Sequence, residues 1–259
     1  MAVTRAPAYP TAAHQRAAEE ITDFFAEREE TDAVMLANSC ARGKGTPDSC
    51  LDIHVIVRPH AVERIDADWR AFAAESNAIA ELLRAGKFSE LHLDVWDGVI
   101  VPGVIDDEGF DYLEVSVGNL FVYDVPLFLR GDRFERLADQ WLPFYDDALR
   151  RERLEAARWF ILDCNLARIP WYVDRELYFQ AFDRFYRAFQ CFLLGLHVSR
   201  RTYPLDYNKW LHEQIAENLG LAELYERLPH LFELVPFESR VLETKADELR
   251  ALVDEYVVD

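Results

Sequence analysis

The sequence predicts an α/β (α+β) fold, a mixed-sheet domain followed by an all-helical bundle. Two observations carry this. Up to residue 117, short apolar or alternating runs of strand length are interleaved with helical periodicities. Beyond Arg130 only long helical patterns remain. We divide the chain accordingly into segments 1–132 and 133–259. A chain of 259 residues, 51% hydrophobic and 13% aromatic, can bury one large core or two medium ones.

Residues 14–28 carry Ala17, Ile21, Phe24 and Phe25 at three- and four-residue spacings, which predicts a helix. Residues 33–37 are a short apolar run of strand character. A polar, Gly-containing stretch follows over 38–49, and 51–57 predicts a second strand. Over 66–85, Trp69, Phe72, Ala73, Ile79, Leu82 and Leu83 supply the apolar face of a helix that Gly86 ends. Residues 90–96 alternate, setting Leu91, Leu93 and Val95 against His92, Asp94 and Trp96. Asp97 and Gly98 signal a hairpin into a strand over 99–105. Residues 111–117 alternate again, with Leu113, Val115 and Val117 opposed to Tyr112, Glu114 and Ser116. Helical patterns then cover 134–148, 151–167, 175–199, 208–219 and 239–257, with Pro170, Pro204, Pro229 and Pro236 in the separators. The aromatic series from Tyr178 to Phe192 falls at helical spacing and reads as packing core.

Acidic side chains outnumber basic ones 47 to 28, a formal charge of −19. A field of that sign repels nucleic acid at long range, which places a nucleic-acid polymerase last among the functions considered. It leaves room for a local basic pocket that takes a nucleotide. No run of about 18 uncharged apolar residues occurs, so no membrane span is expected. Residues 1–10 lack the apolar core of a signal peptide, and a cytoplasmic location is expected. Cys40, Cys50, Cys164 and Cys191 form no C-x-x-C pair; they read as free thiols, without the spacing of a structural zinc site.

The most informative stretch is 33–57: an apolar strand, Asn38 and Ser39, then Ala41, Arg42 and Gly43, then a strand holding Cys50, Asp52 and His54. It resembles the signature of the polymerase-β-like nucleotidyltransferase superfamily. There a strand ends in Gly-Ser, a short helix carries Ala-Arg-Gly, and a second strand carries Asp-x-Asp. Carboxylates two apart on a strand project from one face. Together they can hold Mg²⁺, and two such ions can bridge nucleotide phosphates and activate an attacking hydroxyl.

The resemblance implies transfer of a nucleoside monophosphate from an NTP to a small hydroxylated acceptor, with Mg²⁺ as cofactor. It gives Asp52 the metal. Asp94 or Glu114, each on the polar face of its run, would act as base or further metal ligand; kanamycin-type relatives use a Glu there. Ser39 would bind phosphate, with Arg42 and Lys44 beside it. Lys209, followed by Trp210 and Leu211, resembles the lysine of a Lys-Trp-Leu segment in the helical domains of antibiotic nucleotidyltransferases.

Two positions depart from the signature. Asn38 stands where Gly is usual, and Asn tolerates a left-handed backbone better than most residues. Cys50 stands where the first Asp belongs, and a thiol is a poor ligand for Mg²⁺. Asp48, two residues earlier, is assigned to the loop. Cys50 therefore supports a second reading, a catalytically impaired homologue that binds a nucleotide or a protein partner. The modifying member of a toxin–antitoxin pair is a third, disfavoured by the long helical segment. His54 and His92 read as strand-face side chains rather than ligands. Acceptor, nucleotide and oligomeric state, monomer or oligomer, stay open.

Overall fold

A four-stranded sheet organises the N-terminal half of the molecule. The computed structural model describes residues 6–87 and 89–259. Residues 1–5, half of the stretch expected to lack a signal-peptide core, lie outside them. The chain divides into two compact units: Met1–Ile100 with Asn119–Pro143, and Val101–Gly118 with Phe144–Asp259. Residues 101–118, which the sequence places in the first domain, thus pack with the second unit. No helix among the described residues is long and apolar enough to cross a membrane.

The first unit opens with α1 (Ala12–Ala26), whose N-cap Thr11 accepts from the His14 N–H. Then follow β1 (Thr31–Leu36), α2 (Asn38–Ala41), β2 (Leu51–Val57), α3 (Val62–Glu75), α4 (Asn77–Ala85) and β3 (Leu91–Trp96). The next element, α5 (Leu113–Val117), belongs to the second unit, and β4 (Val125–Leu129) and α6 (Arg133–Ala138) return to the first. The sheet order is β3-β2-β1-β4. β1 is antiparallel to both β2 and β4, whereas β2 is parallel to β3. A parallel neighbour needs a long crossover, and α3 and α4 supply it.

One face of β2 is apolar and carries Leu51, Ile53, Val55 and Val57. These residues join a buried cluster with Ala17, Ile21 and Phe25 of α1, Ile65 and Trp69 of α3, and Ile79 and Leu82 of α4. Strand alternation turns Asp52 and His54 to the other face.

Four expectations need correction in this unit. The helix expected over 66–85 is two helices. They are broken at Ser76, which is extended (ψ 125°) and caps α4 by accepting from the Ile79 N–H. β4 was not expected, because Pro126 interrupts its apolar run. Proline lacks a donor and is tolerated here because β4 is an edge strand. The hairpin strand expected over 99–105 has no regular structure. Gly98 has the left-handed φ of +75° that a turn would use, yet the chain is held differently. Arg133 donates to the carbonyls of Asp97 (2.7 Å) and Val57 (3.0 Å) and to buried Asp32 (3.1 Å), tying the end of β3 down. Finally, the helix expected over 134–148 stops at Ala138, because Pro143 cannot continue it.

The second unit continues with α7 (Asp147–Trp159), α8 (Ile169–Val173), α9 (Tyr178–Ser199), α10 (Ala222–Arg227) and α11 (Val241–Tyr256). Asp146 caps α7 by accepting from Ala148 and Leu149 N–H groups. The helix expected over 151–167 passes instead into a π-helical turn at Phe160–Asn165. The one expected over 208–219 is shortened to a π turn, His212–Asn218, because Trp210 is left-handed (φ +57°). Phe185, Phe189 and Phe192 of α9 are buried, and Phe189 meets Phe232 edge-on at 4.9 Å.

The largest difference concerns 111–117, expected as a strand and found as α5. Leu113, Glu114, Val115 and Val117 are all buried, so the alternation of polar and apolar residues did not mark two faces. Glu114 is inside because its partners are. Its Oε1 accepts from Tyr145 Oη (3.0 Å) and Arg153 Nε (2.9 Å), and its Oε2 from Arg153 Nη2 (2.8 Å) and Tyr207 Oη (3.1 Å). Burial, with the Glu114 charge adding to it, holds both phenols above their ordinary range, so both remain donors. Arg153 also pairs with Asp111. Removing one partner of a buried pair strands the other charge. Glu114→Ala is expected to destabilise the second unit by about 3–5 kcal/mol, and Tyr207→Phe by about 1 kcal/mol, in urea unfolding. Equal, small losses would contradict the assignment.

Candidate functional site

The end of β1 and the start of β2 are joined through the backbone: the Ala37 N–H donates to the Asp52 carbonyl at 2.8 Å. Asn38 then turns the chain with φ +55°, the left-handed conformation Asn accepts at low cost. Ser39 and Cys40 follow in α2. The Lys44 N–H returns to the Ser39 carbonyl at 2.9 Å, closing the loop around Arg42, which is half-buried. Lys44 is exposed. Burial, then the Asp52 charge, push the Cys40 thiol up to about 11, so it stays protonated.

The parallel pairing of β2 and β3 sets Asp52 opposite His92 and His54 opposite Asp94. Directly before the paired strands, Cys50 and Glu90 face each other, and the Leu51 N–H donates to the Glu90 carbonyl at 2.9 Å. The outcome is a ladder of six polar side chains on two neighbouring strands. His92 Nδ1 lies 3.0 Å from Asp52 Oδ1, and its Nε2 lies 3.2 Å from Glu90 Oε2. The hydrogen bond to Asp52 is the main cause that holds the His92 imidazole above its ordinary range. One rung along, His54 Nδ1 lies 2.7 Å from Oδ2 of Asp124, whose side chain is fully buried. Burial works against the His54 cation, but the bond and charge of Asp124 outweigh it, and the imidazole titrates high.

Of the residues expected at a site, the first unit holds Ser39, Arg42, Lys44, Asp52 and Asp94. Asp94 is exposed and lies two residues along β3 from His92, hence on its face. Glu114 and Lys209 belong to the second unit. Glu114 is not a strand residue, and its two oxygens accept four hydrogen bonds there. A general base needs an open lone pair at the reacting proton, which this carboxylate does not offer. Lys209 is exposed in a turn whose carbonyl accepts from Gln214 Nε2 at 2.7 Å. Asp48 sits in the loop, accepting from the Lys87 N–H at 2.8 Å.

Sequence reading missed His92 and His54 as partners of carboxylates, and missed Glu90 and Asp124 altogether. The available signal was the alternation of Cys50, Asp52 and His54 against Glu90, His92 and Asp94. It becomes a site only once the parallel register is known. Nothing in the sequence marks Asp124 as the partner of His54.

The donor set does not fit Mg²⁺. That ion demands oxygen ligands in near-ideal octahedral geometry. Around Asp52 the strands present a cluster of a thiol, an imidazole and a single further carboxylate, Glu90, and one Asp52 oxygen is already bonded to His92. Burial, ahead of the Asp52 and Glu90 charges, also pushes the Cys50 thiol up. No model of a known protein family matches the chain. No curated protein matches it either.

The His54–Asp124 pair makes a pH prediction. The folded His54 value lies above the ordinary 6.5, so the pair's stabilisation is fully present below 6.5 and is lost as pH rises through the folded value. Burial shifts Asp124 in the same upward direction, which has the same sign. Unfolding free energy should therefore fall as pH climbs above 6.5, and His54→Asn should flatten that slope while lowering stability at acid pH. A wild-type profile that is level or rising over this interval would contradict the pairing.

Proposed function

We propose that this chain is a nucleotide-binding protein of the nucleotidyltransferase type in which Mg²⁺-dependent transfer is impaired. The observation that carries the reading is the split between turn and ligands. The turn through Asn38 and Ser39 has the left-handed φ of +55° that the signature's Gly position would allow, and Ala37 beside it joins β1 to Asp52 by a direct backbone bond. The acidic set is altered: Cys50 stands at the first carboxylate position, His92 engages Asp52, and Glu114 is held by Arg153. The substrate class, an NTP, comes from the resemblance of residues 33–57 and not from the fold alone.

The physical reasoning is one of charge. Nucleotidyl transfer relies on positioning and on neutralising phosphate charge as the bond to the leaving pyrophosphate breaks. Ser39 and the adjoining backbone N–H groups can bind phosphate oxygens, and Arg42 and Lys44 supply positive charge on the same loop. That is enough for binding. With one carboxylate left of the pair, it is not enough for fast turnover onto a small hydroxylated acceptor.

NTP titration by calorimetry, with and without Mg²⁺, tests the reading alongside mass spectrometry for nucleotidylated products. Wild type should bind NTP almost independently of Mg²⁺ and give little product. Cys50→Asp restores an oxygen ligand two residues from Asp52, and Mg²⁺ should then tighten NTP binding at least tenfold, about 1.4 kcal/mol. Rapid wild-type turnover that disappears in Asp52→Ala would show an intact enzyme instead. Absence of NTP binding in every variant would overturn nucleotide recognition.

A further inference from the structure

The geometry points to a binding site for a borderline divalent cation, Zn²⁺, formed by Cys50 Sγ, His92 Nε2 and a Glu90 carboxylate oxygen at the head of the β2–β3 pair. One ligand atom from each of these residues lies within 4.8 Å of the other two, and His92 Nε2 is 3.2 Å from Glu90 Oε2. Tetrahedral Zn²⁺ with bonds of about 2.0–2.3 Å sets its ligands roughly 3.3–3.8 Å from each other. Small side-chain rotations suffice to close the triangle. The backbone is already fixed by the ladder bond from Leu51 to Glu90 and by the Asp52–His92 register.

Three further features favour a cation here. The set combines thiolate, imidazole and carboxylate, which selects zinc over the oxygen-seeking Mg²⁺ and Ca²⁺. His92 presents Nε2 to the proposed ion while Nδ1 faces Asp52 Oδ1. A carboxylate behind a ligating histidine fixes its tautomer and raises its basicity, and losing such a partner typically costs 10–100-fold in metal affinity. Asp52 would thus be a positioning residue, not a ligand. Finally, the His92 and Glu90 side chains are 58% and 68% exposed, so an ion can enter and a fourth ligand, water or an anion, can complete the shell. Binding converts the Cys50 thiol to thiolate and displaces any proton on His92 Nε2, and both leave to solvent.

This inference stands on side-chain geometry and does not depend on nucleotide recognition. The test uses the full chain without nucleotide, in excess Mg²⁺. Zn²⁺ is titrated against a chromophoric chelator, proton release is recorded, and Co²⁺ serves as a spectroscopic substitute. Wild type should bind one equivalent of Zn²⁺ and release about one to two protons per ion, from Cys50 Sγ and His92 Nε2. Its Co²⁺ form should show thiolate-to-metal absorption. Cys50→Ser should abolish that absorption and lower the proton release by about one per ion, and His92→Ala and Glu90→Gln should each weaken binding at least tenfold. Asp52→Asn should weaken binding 10–100-fold yet keep the thiolate absorption, which a general loss of structure would not do. Circular dichroism checks that each variant is folded. Absence of Zn²⁺ binding, or binding unchanged in folded Cys50→Ser, would overturn the site. Either result leaves the nucleotide reading intact, and failure to bind NTP leaves the zinc site intact.

Discussion

The parallel pairing of β2 with β3 is the constraint on which the candidate site depends. Because side chains alternate across a strand, a slip of one residue would move every side chain of β2 to the opposite face. Leu51, Ile53, Val55 and Val57 are completely buried beneath α1, α3 and α4. Exposing even one such side chain costs about 1.5–3 kcal/mol, so the register is held by the apolar face. The polar face follows automatically. It is the apolar core that places Asp52 against His92, His54 against Asp94, and Cys50 against Glu90.

That ladder changes the meaning of the signature residues. In the pattern that residues 33–57 resemble, two carboxylates share one strand face and gather hard cations. Here a thiol replaces one carboxylate, and the neighbouring strand supplies an imidazole that takes up the other. His54 and Asp124 form a second imidazole–carboxylate pair one rung away. The face is a mixed sulfur, nitrogen and oxygen surface, beside the backbone turn at Asn38. The turn at Asn38 and the polar ladder rest on different elements, so the chemistry of one can differ without the geometry of the other.

Much of the fold was legible in the sequence, and the reasons it was not fully so are local. α1 and β3 declared themselves by periodicity, and β1 and β2 as short, largely apolar runs of strand length. β4 did not, because Pro126 reads as a strand breaker unless the strand is known to be an edge. Residues 111–117 misled in the other direction. Glu114 was counted as a polar, outward position, whereas Arg153, Tyr145 and Tyr207, from 31 to 93 residues away, make it an inward one. The same blindness to long-range partners hid the site. Asp52 and Cys50 were visible as a motif, but Glu90 and His92 acquire meaning only from strand register, and Asp124 only from the position of β4 and the turn before it.

The central claim is that the altered face is built for a soft or borderline ion and not for Mg²⁺. X-ray absorption at the zinc edge, on protein loaded with one equivalent, examines it most directly. One sulfur neighbour at about 2.3 Å with nitrogen and oxygen neighbours at about 2.0–2.2 Å is the expected shell. A shell of nitrogen and oxygen alone, with no sulfur, would contradict the account.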